Sequence, residues 1–235
     1  MAKPEDRLEF VEDLEPAAWL GDDSKPFGWN VGAVIPPGFE AYGRVFHPAA
    51  LAGEPVSWSE IATANGKVLH PEAQFESITG VDPWRGNQPG LWDSPPRIHD
   101  ASDIVRPLLQ VLLAQTSTPD RGWFCVWEGW GGMTRPSFEA RVRRPMRAYW
   151  LMHGPLVAVV DGFGAFGAQG PSIWWPDDRA WCVATEIDYR WTYVGGTGQL
   201  IDDLIADPDL EVLPSTLTDR VGITGDLINA PTQSD

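Results

Sequence analysis

The sequence predicts an α+β fold: one domain with a largely antiparallel sheet and packed helices. Two observations carry this. Strand-like runs follow one another through turns and short helices, without the strict strand–helix alternation of a doubly wound parallel sheet. The chain has 235 residues, 43% hydrophobic and 21% charged, which suffices for one core without disulfides or metal. The expected domain covers residues 1–235, with an irregular leader over 1–29 and a weakly structured segment over 214–235.

Along the leader, Leu8, Phe10, Val11, Leu14 and Trp19 mix with acids, and Pro4 and Pro16 limit any helix. GDDSKPFGWN, residues 21–30, reads as a loop. Residues 30–35 read as a strand, Pro36-Pro37-Gly38 as a turn, and Phe39 to Phe46 as a second strand. Period-two alternation sets Phe39, Ala41, Gly43 and Val45 on one face and Glu40, Tyr42, Arg44 and Phe46 on the other. Ser57 followed by Glu60 forms a capping box for a helix that ends at Asn65-Gly66. A short helix follows Pro71. Residues 80–100 are the longest irregular stretch, and they carry Trp84, Arg85 and Trp92.

Ser102 or Asp103 is the expected cap of a helix running to about Gln115. Its apolar residues cover most of the circumference, so it should be central. WFCVWE, residues 123–128, is apolar on both faces, as an inner strand would be. Residues 148–153 form another strand, and residues 156–163 a short strand or helix. The strongest strand is Ala180 to Asp188, expected to continue, bent, through Tyr193. A helix over about 198–207 with the stripe Leu200, Ile201, Leu204 and Ile205 follows, then a short strand at 210–213.

Thirteen tryptophans stand out. Each indole brings a large apolar area and one N–H that needs a partner when buried. A net charge of −16 argues against nucleic acid. Arg141, Arg143, Arg144 and Arg147 form the one basic cluster, read first as a solvated face and second as a docking patch. No secretory signal and no 18-residue apolar run is visible. Cys125 and Cys182 sit in apolar strands and fit buried thiols in a reducing cytoplasm, with a disulfide left open.

Catalytic signatures are sparse. His47, His70, His99 and His153 form no HxH, HExxH or HxxxH pair, and His47 and His70, each before a proline, read as polar residues at turns. VGGTGQL, residues 194–200, sits between a strand and a helix but lacks the P-loop lysine, and Asp202 and Asp203 oppose phosphate. GFGAFG, residues 162–167, matches G-x-G-x-x-G without a following helix. No cofactor, metal site or membrane partner is expected. The remaining acid–base candidates are Glu128, Glu186 and Asp188, should two neighbouring strands bring them together. Their plainer reading is ion pairs with Arg179, Arg190 or the Arg141 cluster. On SIWWPDDRAWCVATEID, residues 172–188, indoles and opposite charges share a loop. Trp174, Trp175, Asp177 and Arg179, with Trp84 and Trp92, are therefore the expected ligand or partner contacts.

PPGFEAYGRVFHPA, WSEIATANGKVLHPEAQF, WFCVWEG and WWPDDRAWCVATEIDYRWTYVGG, spanning Pro36 to Gly196, resemble a family of actinobacterial proteins with no assigned activity. That resemblance implies a bacterial, cytoplasmic origin and supplies no catalytic residue. The leading functional expectation is a non-enzymatic cytoplasmic binding module for a protein partner or small ligand. A carboxylate-dependent hydrolase, with or without a divalent metal, is the alternative, and an immunity or toxin-neutralising protein a third.

Overall fold

A computed structural model describes residues 8–21, 29–130, 136–160 and 170–229. In chain order the elements begin with β1 (Glu9–Val11), α1 (Val31–Val34), β2 (Ala41–Phe46), β3 (Ala49–Leu51) and β4 (Glu54–Val56). Then come α2 (Trp58–Ala64), α3 (Phe75–Thr79), α4 (Val105–Leu113), β5 (Gly122–Trp127), β6 (Val142–Arg144) and β7 (Arg147–Gly154). The last are β8 (Ile173–Pro176), β9 (Cys182–Ala184), β10 (Trp191–Gly196), α5 (Gly198–Ala206) and β11 (Val212–Ser215). Two 3₁₀ turns, Glu15–Leu20 and Leu156–Val159, complete the list of helical segments among the described residues.

Nine strands form one antiparallel sheet in the order β1-β7-β5-β8-β9-β10-β2-β11, with β6 also paired to β7. β1 and β6 share one edge of β7, at Leu151–His153 and Arg147–Tyr149 respectively. β3 and β4 form a separate hairpin. This is the α+β architecture expected from the sequence.

Both faces of the sheet are covered, and strand alternation sorts residues between them. Val45, Phe124, Val126, Trp174, Val183 and Val194 pack with Leu108, Leu112, Leu200 and Leu204 of α4 and α5. Phe46, Cys125, Leu151, Trp175, Ala184 and Tyr193 pack on the other face with residues of α1, α2, α3 and the first 3₁₀ turn. The split of β2 follows the predicted alternation, with Val45 on one face and Tyr42 and Phe46 on the other. Cys125 and Cys182 are buried free thiols.

The capping box forms as read. Ser57 Oγ accepts from Glu60 N at 3.2 Å, and Glu60 Oε2 accepts from Ser57 N at 3.0 Å. At α5 the cap is Thr197, whose Oγ1 accepts from Leu200 N at 3.2 Å. The glycines before it serve packing. A Cβ on Gly195 would collide with the Phe39 ring, and one on Gly196 with Leu200.

Four expectations are corrected. Residues 31–34 are helical, not a strand, because Val31 N and Gly32 N bond to Asp219 O and Leu217 O of the C-terminal segment. α4 begins at Val105 with Ile104 as its cap residue and no side-chain cap, so neither Ser102 nor Asp103 caps it. The run Ala180–Asp188 is not one strand. β9 ends at Ala184, the chain turns through Glu186 N-terminal to Tyr189 (Tyr189 N to Glu186 O, 3.0 Å), and β10 returns antiparallel with Tyr193 opposite Ala184. No glycine or proline marks that reversal. Finally, Trp174 and Trp175 are on β8, between β5 and β9, rather than on a loop.

The basic cluster is also taken apart. Arg144 is buried and donates to Leu20 O and Ala33 O. Arg141 pairs with Glu128 at 3.0 Å and lies over the Trp150 ring. Arg147 pairs with Glu186 and Asp188, so of the four only Arg143 remains a solvated charge.

The polar C-terminal segment is held through Asp226 and Asn229. Asp226 accepts from His70 Nε2, Gln74 N and Asn229 N, and Asn229 bonds Val68 N and Val68 O. These bonds staple the segment across the α2–α3 connection. Burial raises the Asp226 carboxyl, but donors from Asn229, Gln74 and His70 outweigh it and hold the group below its ordinary range.

Candidate functional site

The β9–β10 reversal creates a cleft of about 320 Å³. Glu186, Asp188, Tyr189 and Arg190 of the reversal form one wall, and Trp191 at the start of β10 lies beside them. Met146 and Arg147, from the turn joining β6 to β7, approach from one side. Gln74 and Glu76 of α3 approach from another, and Trp29, Val221 and Ile223 close the cleft. A polar turn without glycine is stable here because its carboxylates have partners in neighbouring elements.

Arg147 is the centre of that pairing. Its Nη2 lies 2.5 Å from Glu186 Oε1 and 2.9 Å from Asp188 Oδ2. Its Nε donates to Glu186 Oε1 at 2.9 Å. Burial raises the Glu186 carboxyl, against the pull of Arg147. For Arg147 itself burial lowers the guanidinium, but Glu186 and Asp188 outweigh it and the net shift is upward. The pair thus favours the arginine charge more than the glutamate charge, as expected when the glutamate is the more deeply buried partner.

Arg190 is the second cation. It donates to Pro96 O, stands 3.9 Å from Glu76 Oε1, and lies 5.3 Å from the Trp84 ring centroid. Tyr189 stacks on Trp191 with centroids 4.6 Å apart. The arginines are sunk while two acids are not: Asp188 is mostly in solvent and Glu76 is partly so. Solvent therefore meets an acidic cleft.

The rim is apolar. Trp29 is 66% exposed, Met146 72% and Ile223 71%, and all three line the cleft. Trp84, 75% exposed, lines an adjoining depression that shares Ile223 and Glu76 with it. Large side chains are rarely this exposed in a contiguous group on a surface without a partner.

The predicted site residues are distributed as follows. Glu186 and Asp188 come together in the cleft. Glu128 does not line it and is held by Arg141. Trp84 stands beside it. Trp92, Trp174 and Trp175 are buried and none is part of the cleft, which corrects the expectation of indoles on exposed loops. Trp92 Nε1 donates to Gln88 Oε1 at 2.9 Å and its ring meets Phe75 edge-on. Trp174 packs edge-on to Trp181, and Trp175 edge-on to Trp19. Asp177 and Arg179 stand at the β8–β9 corner. Asp177 accepts from Trp123 Nε1 at 2.9 Å and pairs with Arg121 at 3.0 Å. The Arg179 guanidinium lies 5.6 Å from the Trp19 ring centroid.

Trp29, Met146 and Ile223 were missed by sequence reasoning. Trp29 sits in a segment legible as a loop, but no pattern distinguishes an exposed indole there from a buried one. GFGAFG, residues 162–167, lies outside the described residues. Among the described residues, no group of three or more His, Cys, Asp or Glu could hold a metal ion, and no helix is long and apolar enough to cross a membrane. No family model, no curated protein and no solved structure matches this chain.

Proposed function

We propose that this protein is a non-catalytic binding module and that its recognition surface is the cleft under the β9–β10 reversal. Its partner in this reading is a protein segment carrying basic and apolar side chains. The observation that carries the reading is the exposed apolar rim of Trp29, Met146, Ile223 and Trp84 around an acidic floor. Apolar rim residues supply area, and aromatic faces attract guanidinium and ammonium groups. Asp188 and Glu76 supply the opposite charge, and a net charge of −16 steers a basic partner inward. Two buried free thiols support a reducing, cytoplasmic setting. The hydrolase alternative loses support, because Glu128 is absent from the cleft and Glu186 and Asp188 share one guanidinium.

The test is fluorescence anisotropy with short peptides combining Arg or Lys with Leu or Phe, against copies in which every basic residue is acidic. Saturable binding of the basic set alone is expected, weaker at higher salt and at least tenfold weaker after Trp29→Ala with Asp188→Asn. Binding of both sets alike, or of neither, would falsify the reading.

A further inference from the structure

A second cavity, of about 170 Å³, lies on the opposite face of the sheet, between α4 and the ends of β9 and β10. Val105 and Leu108 of α4, with Trp174 and Val183 of the sheet, form its apolar walls. Its polar atoms come from His99, Ser102, Thr185 and Thr192. Among the described residues no charged side chain lines it. Nothing in the cleft uses these groups.

Their hydrogen bonds have a direction. His47 Nδ1 lies 3.0 Å from Arg97 O, and a carbonyl only accepts, so Nδ1 carries the proton. Nε2 of the neutral ring is then an acceptor, and it takes the Thr192 hydroxyl proton at 2.9 Å. Thr192 has no second proton, so at 2.8 Å the Thr185 hydroxyl must donate to it. Thr185 Oγ1 is left with acceptor capacity alone. His47 is held neutral because burial pushes its pKa down to about 4. His99 is likewise lowered to about 4 by burial and then by His47.

His99 is buried and lines the same cavity. Its Nε2 is taken by Ser172 Oγ at 3.2 Å, and its Nδ1 has no partner among the described residues. An orphaned ring nitrogen is costly in a buried site unless something else satisfies it. The backbone there is in the left-handed region, φ 55°, and His99 N is held by Tyr189 O at 2.8 Å. Such strained positions gather at ligand clamps.

We infer that this cavity binds a small uncharged hydroxylated molecule of phenol size, its O–H donating to Thr185 Oγ1. The size follows from volume: an apolar cavity of about 150 Å³ accepts benzene. The uncharged head follows from the neutral imidazoles and from the uncharged lining among the described residues. The O–H follows from Thr185, which can only accept.

The probe is phenol, titrated into the full chain at pH 7 by heteronuclear NMR, with benzene as the ligand that lacks the head group. Saturable shifts at Trp174, Thr185 and Thr192 are expected with both, phenol binding about fivefold to tenfold tighter, the worth of one hydrogen bond. Thr185→Val, nearly the same shape, should remove most of that preference and leave benzene unchanged. If phenol fails to saturate, or binds no tighter than benzene to the unmodified protein, the inference is overturned without recourse to a variant. An unchanged phenol affinity in a folded Thr185→Val protein also overturns it.

Discussion

The two faces of the sheet are built by different means. Under α4 and α5 the core is mostly aliphatic, and the helices are long enough to present regular stripes: Val105, Leu108, Leu109 and Leu112 on one, Leu200, Ile201 and Leu204 on the other. The opposite face has only short helices and loops. It is filled by aromatics: Trp58 packs against Phe46, Phe75 and Trp191. It also holds a buried cation. Arg44 is fully buried, lies 3.8 Å from the Trp191 ring centroid, and donates to Ala73 O at 2.7 Å and to Pro71 O. Burial lowers its pKa to about 10, so it remains charged at neutral pH. Where helices cannot tile a sheet, large rings and polar anchors to loop carbonyls do the work that regular ridges do elsewhere.

Four measurements would break or sharpen that contrast. Trp58→Ala has the largest expected effect, about 4 kcal/mol in urea unfolding, against about 3 kcal/mol for Leu112→Ala on the aliphatic face. Equal losses would mean that the aromatic face is no more tightly interlocked than the helical one.

Acid should act next, through the histidines beside α4. The His47 pKa of about 4 lies below the ordinary imidazole value of 6.5. The unfolded chain therefore takes up a proton that the native state refuses. Stability is complete above pH 6.5 and falls as pH drops toward 4, by about 3 kcal/mol for His47. His99 acts in the same direction. Between pH 7 and 5, above the carboxylate range, His47→Gln should roughly halve the slope of unfolding free energy against pH. An unaltered slope would reassign the titration to other groups.

Arg44→Met tests the anchors. It removes a buried charge but strands the carbonyls of Pro71 and Ala73, and a loss of about 2 kcal/mol is expected in denaturant melts. A neutral or stabilising result would mean that packing alone holds the aromatic face. The smallest effect belongs to Ser57→Ala, about 1 kcal/mol from the lost cap, with α2 fraying visible in hydrogen exchange at Trp58, Ser59 and Glu60.

Legibility followed the same divide. α2 with its capping box, the apolar faces of α4 and α5 (except Ile205, which is exposed), the alternation of β2 and the two-sided apolar run of β5 could be read because each rests on near neighbours in the chain. The cleft could not. Glu186 and Asp188 were singled out as acids, but they were set on a continuous strand, since nothing in TEIDYRW marks a turn. Trp174 and Trp175 looked loop-borne because Pro176, Asp177 and Asp178 follow them. Their burial depends on β5 and β9 flanking them, which is information from positions distant in the chain. His47 and His70, legible as turn residues, are buried, and the His47–Thr192 contact spans 145 positions.

The sequence by itself determined the α+β class, the antiparallel habit, the capping box of α2, the apolar faces of the strands and the acidity. Those are properties of local spacing and of composition. The tertiary structure decided which tryptophans are core and which are rim, that the arginine cluster is mostly spent on internal pairs, and that one six-residue reversal divides an acidic cleft from a cavity lined by hydroxyls and an imidazole. Each of these depends on which strands become neighbours. Burial of an indole or pairing of a charge is set by the atoms that arrive from elsewhere in the chain, and local sequence does not encode their arrival.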